Sequence, residues 1–189
     1  MSSVVISGDT SGSITIAAPA VSGTTTLTLP ATSGTVLTSA TTQAGLPPNI
    51  AGNGPAFIAY SSGATSLTNS AFTKILYATK LYDTNNNYDT TLSRFTPTVA
   101  GYYQISAHTE SGAGMGTNTV ICIYQNGSEY FRGMGSITST PTYYTVSGLV
   151  YCNGSTDYIE IYLYQSSGST QTTNAATYNK FSGFLARSA

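Results

Sequence analysis

The chain has 189 residues, of which only 7% are charged, and a formal net charge of −1. Globular proteins usually carry about 25% charged residues, so no basic stripe is available for nucleic acid. Apolar runs fall far short of the roughly 20 residues that span a bilayer. The Met1-Ser2-Ser3-Val4 start has no charged segment and hydrophobic block, so neither membrane insertion nor a secretory signal is expected.

Taken in chain order, the first feature is a repeat. Ser-Gly recurs at Gly12, Gly23 and Gly34, and proline at Pro19 and Pro30, each eleven residues after the last. Ile14, Thr25 and Val36 share one phase of the repeat, and Ile16, Leu27 and Thr38 another. Alternation over Thr26–Leu29 is the period of a strand with one buried face. Glycine makes each corner, and proline stops the run. One such unit has too little apolar surface to fold alone and needs neighbours from the next unit or another copy. A flexible Ser/Thr/Gly linker is the plain alternative; period and alternation together favour ordered β-structure. Residues 1–40 therefore read as a β-repeat anchor or stalk, marked by Gly12, Gly23, Gly34, Pro19 and Pro30. Residues 41–54, rich in Gly, Pro and Asn, read as a linker.

From residue 55 to 189 aromatics and longer strand patterns appear. Strands are expected at 56–60, 73–78, 80–83, 91–95, 101–109, 119–125, 129–134, 143–151, 157–164 and 181–186. Asn126-Gly127 and Asn153-Gly154 are hairpin signals. No stretch holds a 3.6-residue period. About eight to ten short strands suggest a sandwich, jelly roll or barrel, so the fold class is all-β.

The clearest strand, Asp157–Tyr164, has two unlike faces. Ile159, Ile161 and Leu163 point one way, and Tyr158, Glu160, Tyr162 and Tyr164 the other. Tyr124 lies opposite Ile121 and Ile123 in the same manner. Tyrosine buries a large ring and tolerates a wet hydroxyl, which suits subunit contacts. Tyr124, Tyr158, Tyr162 and Tyr164 are therefore expected at a trimer interface, with an exposed tyrosine sheet or a sugar-stacking platform as the alternatives. A charge-poor surface, with Asp9 the sole ionic side chain before Lys74, points the same way: copies of the chain cover one another.

Little suggests catalysis. His108 is the single histidine and shares a strand face with Tyr102, Gln104 and Ser106; no Gly-x-Ser-x-Gly accompanies it. Cys122 and Cys152 read as free buried thiols, although pairing is open. Asp83 and Asp89 flank an Asn-rich loop and are candidate calcium ligands; an Asx turn explains them equally. No other cofactor is expected.

Three segments carry a resemblance: NYDTTLSRFTPTVAGYYQIS at 87–106, IYQNG at 123–127 and FSGFL at 181–185. Together they are similar to the globular head of the complement C1q and tumour necrosis factor superfamily, over residues 55–189. The resemblance implies a ten-stranded jelly roll, a homotrimer with aromatic side chains between subunits, and partner binding without catalysis. Residues 22–38, SGTTTLTLPATSGTVLT, resemble segments of tailed-bacteriophage fibre and appendage proteins. The joint expectation is a trimeric virion protein made in the host cytoplasm, held to other virion proteins through residues 1–40, whose head adheres to host-surface glycan or receptor. A capsid decoration or head fibre, and a non-viral C1q-like binding head, are the alternatives.

Overall fold

The structure, a computed structural model, describes residues 3–7, 10–17, 31, 52–111, 115–135 and 142–189. The chain divides into two compact units, Met1–Ser39 and Ala40–Ala189.

In the first unit β1 (Ser3–Ser7) and β2 (Ser13–Ala17) form an antiparallel pair, with Ser3 opposite Ala17 and Ser7 opposite Ser13. β2 contains Ile14 and Ile16 of the first repeat, and Gly12 lies in the connecting turn at φ +80°. Val5 and Ile6 point to opposite faces, yet both are more than half exposed, as is Ile16. The other markers, Gly23, Gly34, Pro19 and Pro30, and residues 41–51 of the linker lie outside the described residues.

The second unit contains β3 (Ala56–Tyr60), β4 (Ser66–Leu67), β5 (Ala71–Lys74), β6 (Thr79–Asp83), β7 (Tyr88–Asp89), β8 (Arg94–Phe95) and β9 (Gly101–Ser111). It continues with β10 (Val120–Gln125), β11 (Ser128–Arg132), β12 (Met134–Gly135), β13 (Thr142–Cys152), β14 (Ile159–Gln165), β15 (Gln171–Thr172) and β16 (Lys180–Ser188). Among the described residues no helix is long and apolar enough to cross a membrane. The first sheet runs β12-β13-β9-β16-β3-β6, and the second β11-β10-β14-β8-β7, with β5 also paired to β14. β4 and β15 form a separate pair. The later strands alternate between the sheets: β9 in the first, β10 and β11 in the second, β13 in the first, β14 in the second, β16 in the first. This crossing pattern is a jelly roll, in which one sequence period of two supplies both walls of a single core.

Inward residues of both sheets form one cluster. The first sheet contributes Phe57, Tyr103, Ile105, Tyr144, Val146 and Phe181; the second contributes Ile121, Ile123, Ile159, Ile161 and Leu163. Phe57 lies at the centre of the aromatic part, stacked on Phe95 at 4.3 Å and Tyr88 at 4.9 Å, with Phe181 edge-on at 4.9 Å. Buried phenols need hydrogen-bond partners: Tyr88 donates to the Tyr77 carbonyl at 2.9 Å and Tyr103 to that of Val99 at 2.7 Å.

Three local expectations are corrected. The strand expected at 73–78 covers Ala71–Lys74 instead; the Ile75 amide makes one last bond to the Ile161 carbonyl of β14, after which the chain leaves the ladder, with Ile75 and Tyr77 buried in the core. The strand expected from Thr91 is mostly a turn. Asp89 accepts the amides of Thr91 and Leu92, Ser93 takes φ +47°, and only Arg94–Phe95 pairs. Asn126-Gly127 does close the β10–β11 hairpin, with φ of +53° and +78°, the mirror-image turn such hairpins favour. Asn153-Gly154 closes none. It carries the chain from β13 in the first sheet to β14 in the second, and the Asn153 side-chain oxygen accepts the amides of Ser155, Thr156 and Asp157.

Candidate functional site

The outward face of the second sheet is built by the alternation of β14. With Ile159, Ile161 and Leu163 in the core, Tyr158, Glu160, Tyr162 and Tyr164 must emerge on the other side. β10 places Tyr124 opposite Glu160, and β5 places Lys74 opposite Tyr162 and Phe72 opposite Tyr164. Tyr124 and Tyr162 stack at 4.2 Å, and Phe72 joins them to Tyr164, with ring centroids 5.7 Å from Tyr124 and 5.3 Å from Tyr164. Tyr158 stands apart, under the Arg94 guanidinium at 3.7 Å, within cation–π reach. All four tyrosines named from the sequence thus share one surface, each half-buried by neighbours of its own chain.

Glu160, central on this face, is 2% exposed. Its Oε1 accepts from Lys74 Nζ at 3.2 Å, Arg94 Nε at 3.0 Å and an Arg94 terminal nitrogen at 2.9 Å; its Oε2 accepts from the Tyr162 hydroxyl at 3.3 Å. A buried carboxylate persists only where it is paired and hydrogen-bonded. The Tyr162 phenol is shifted upward, first by burial and then by the charge of Glu160. Burial likewise raises Tyr124. Sequence reasoning passed over Lys74, Arg94 and Phe72. The available signal was Glu160 itself, an acid in the middle of an otherwise apolar and aromatic strand.

The outward face of the first sheet has two halves. Near the Gly101 end Tyr102 pairs with Tyr151, their rings 5.4 Å apart, and Gln104 stands between Leu149 and Phe184. Phe184 is 52% exposed, Leu149 48%, and Tyr102 and Tyr151 41% each. These large apolar side chains are contiguous, and each is about half exposed in a single copy of the chain. The other half is a shallow groove of about 300 Å³ lined by Ser106, His108, Thr145, Ser147, Lys180 and Ser182. His108 lies against the ring of Tyr143 at 5.7 Å. Among the described residues its imidazole makes no hydrogen bond to a serine or an acid.

Asp83 and Asp89 sit at opposite ends of the Asn-rich loop, and each is occupied locally. Asp83 accepts the amides of Asn87 at 3.0 Å and Tyr88 at 2.9 Å and pairs with Lys80 at 3.3 Å. Asp89 holds its own turn. Among the described residues no three His, Cys, Asp or Glu side chains gather as a metal site. Cys122 and Cys152 are free and buried, and burial pushes both thiols up to about 12. At physiological pH both stay protonated and inert.

The comparisons with known proteins agree with this geometry. A sequence model of the C1q domain family matches residues 56–186, and the chain belongs to that family. In fold the chain is similar to the globular domain of zebrafish complement 1qA, with 16% identity, TM-score 0.53, and coverage of 71% of this chain and 98% of that one. It is also similar to murine APRIL, with 12% identity, TM-score 0.54, and 69% and 96% coverage. The Eiger TNF of S. frugiperda aligns with 9% identity, TM-score 0.51, and 71% and 94% coverage. At these identities the likeness is one of fold. No curated protein matches the sequence.

Proposed function

We propose that the chain is a non-enzymatic, homotrimeric structural protein of a tailed-bacteriophage virion. It is a fibre or appendage held to other virion proteins through residues 1–40, and it presents a C1q-type head to host-surface glycan or receptor. The observation that carries the reading is the apolar half of the first sheet. Phe184, Leu149, Tyr102 and Tyr151 lie side by side and half exposed on a chain with very few charges, and apolar patches of this kind mark contact surfaces. We therefore assign the subunit contact to this face. This assignment departs from the sequence-based expectation that Tyr124, Tyr158, Tyr162 and Tyr164 lie at the interface; under it, the second sheet that carries them faces outward in the trimer, towards a ligand. The anchor reading is supported by the eleven-residue repeat, by its similarity to phage appendage segments, and by a β1–β2 pair that leaves Val5, Ile6 and Ile16 exposed. Three heads on one particle convert weak sites into avidity.

The test is sedimentation of the whole chain at micromolar concentration, alongside Phe184→Glu and Leu149→Lys. The wild-type protein should sediment at three times the protomer mass, and either variant should shift to a folded monomer. A wild-type monomer, or variants that remain trimeric, would overturn the assignment. Adhesion is read separately: the purified trimer should block phage adsorption to the host. A decoration protein would not compete, and particles lacking it would be fragile.

A further inference from the structure

We propose that the outward face of the second sheet is a binding site for an acidic saccharide, a sugar residue bearing a carboxylate, held by Lys74 and Arg94 against the rings of Tyr158 and Tyr162. The proposal rests on the glycan-adhesion reading above and specifies its ligand.

Charge comes first. Two cations converge on one buried carboxylate, so these three groups carry one net positive charge. Asp89, the cross-strand partner of Arg94, accepts the amides of Thr91 and Leu92 and makes no close ion pair with it. The other close ion pairs among the described residues are balanced one to one, Lys80 with Asp83 and Arg132 with Glu129. Lys74 and Arg94 are 26% and 29% exposed, so both heads reach solvent while Glu160 beneath them does not. A partly desolvated cation attracts an anion more strongly than one in open water.

Geometry comes second. Lys74 Nζ and the nearer Arg94 terminal nitrogen both lie within 3.2 Å of the same Glu160 oxygen. The two nitrogens are therefore no more than about 6 Å apart, a gap that a ligand carboxylate can bridge with one oxygen on each cation. Glu160 fixes both through one oxygen, and both side chains remain partly exposed. Arg94 is further fixed by the Tyr158 ring at 3.7 Å. A site held by packing and buried hydrogen bonds loses little entropy when it binds.

The rim selects the class of molecule. Tyr158, under Arg94, and Tyr162, stacked on Tyr124, each stay partly exposed, and the uncovered part of each ring beside its hydroxyl matches a pyranose with C–H groups on one face and hydroxyls around its edge. A peptide that adds as a strand needs a free sheet edge, and acidic motifs that do without one are held by clusters of arginines; this site has a single arginine. β14 is interior to its sheet, between β10 on one side and β5 and β8 on the other, and offers no such edge.

The experiment is calorimetric titration of the whole chain with trigalacturonate, with the same trisaccharide reduced at its carboxyls to the neutral sugar, and with triglutamate. Trigalacturonate should bind at least tenfold more tightly than either, and raising the salt from 50 to 500 mM should weaken it further, as the screening length shrinks. Lys74→Met should lower the affinity at least tenfold while its circular dichroism spectrum at the assay temperature stays that of the folded wild type, and Lys74→Arg should restore most of the affinity. Equal binding of the acidic and neutral sugars, or unchanged binding by Lys74→Met, overturns this site and leaves glycan adhesion standing. Preference for triglutamate overturns the saccharide assignment. Binding of no sugar, by a protein that also fails to block adsorption, overturns both readings.

Discussion

Replacing Glu160 with glutamine removes the negative charge that three cationic donor contacts share, and leaves Lys74 and Arg94 facing each other across the neutral amide. Breaking a buried ion pair from one side typically costs about 3–5 kcal/mol, because the remaining charge is left uncompensated. Lys74 and Arg94 are about a quarter exposed, so water recovers part of this. The expected loss is about 2–3 kcal/mol. For a protein of this length each 1 kcal/mol moves the midpoint by about 2–4 °C, so the melt should fall by about 4–12 °C. The assay is thermal and urea unfolding followed by circular dichroism at fixed protomer concentration, since oligomer stability depends on concentration. The companion is the triple variant Lys74→Met, Arg94→Met, Glu160→Leu, which removes every charge together and should lie within about 1 kcal/mol of wild type. A Glu160→Gln loss below about 0.5 kcal/mol, or a triple variant worse than the single, would refute the view that Glu160 is there to neutralise two partly buried cations.

Two further outcomes follow from the fold. Gly154 has φ +73°, and a Cβ there would come within 2.4 Å of the Ala100 amide nitrogen, so Gly154→Ala should cost more than the roughly 1 kcal/mol of positive φ alone, read as a drop in urea midpoint. Gly127→Ala, also at positive φ but with its nearest neighbour 3.4 Å away at the Tyr158 hydroxyl, is the milder control. The second outcome concerns pH. The thiols of Cys122 and Cys152 are held up to about 12 in the folded state, against about 9 unfolded. Between those values the unfolded chain has released protons that the folded one retains, so stability should be unaffected below about pH 9 and fall as pH rises towards 12. The double variant Cys122→Ala, Cys152→Ala should show a shallower alkaline decline of the urea midpoint; an unchanged slope would contradict the burial of the thiols.

Much of the architecture was legible in the chain because it rests on local periodicity. Alternation in Asp157–Tyr164 separated Ile159, Ile161 and Leu163 from Tyr158, Tyr162 and Tyr164, and the structure buries the first set and turns the second outward. Asn126-Gly127 announced its hairpin because both residues tolerate positive φ. Asn153-Gly154 has the same vocabulary and a different outcome, since the pairing of flanking strands depends on which sheet each joins, and that is settled by distant strands. Asp83 and Asp89 are calcium candidates by composition; in the fold each also accepts amides of its own loop.

The sequence by itself determined an all-β chain with a repeat-bearing N-terminal segment and strands carrying two unlike faces, because strand period and turn chemistry are properties of neighbours along the chain. The tertiary structure decided what those faces meet. Lys74, Arg94 and Glu160 lie up to 86 residues apart, and β5, β8 and β14 bring them onto one oxygen. Tyr102, Leu149, Tyr151 and Phe184 come from three strands and form a patch only once β9, β13 and β16 are adjacent. Contacts of that kind depend on sheet order and register, which arise from the packing of the whole core.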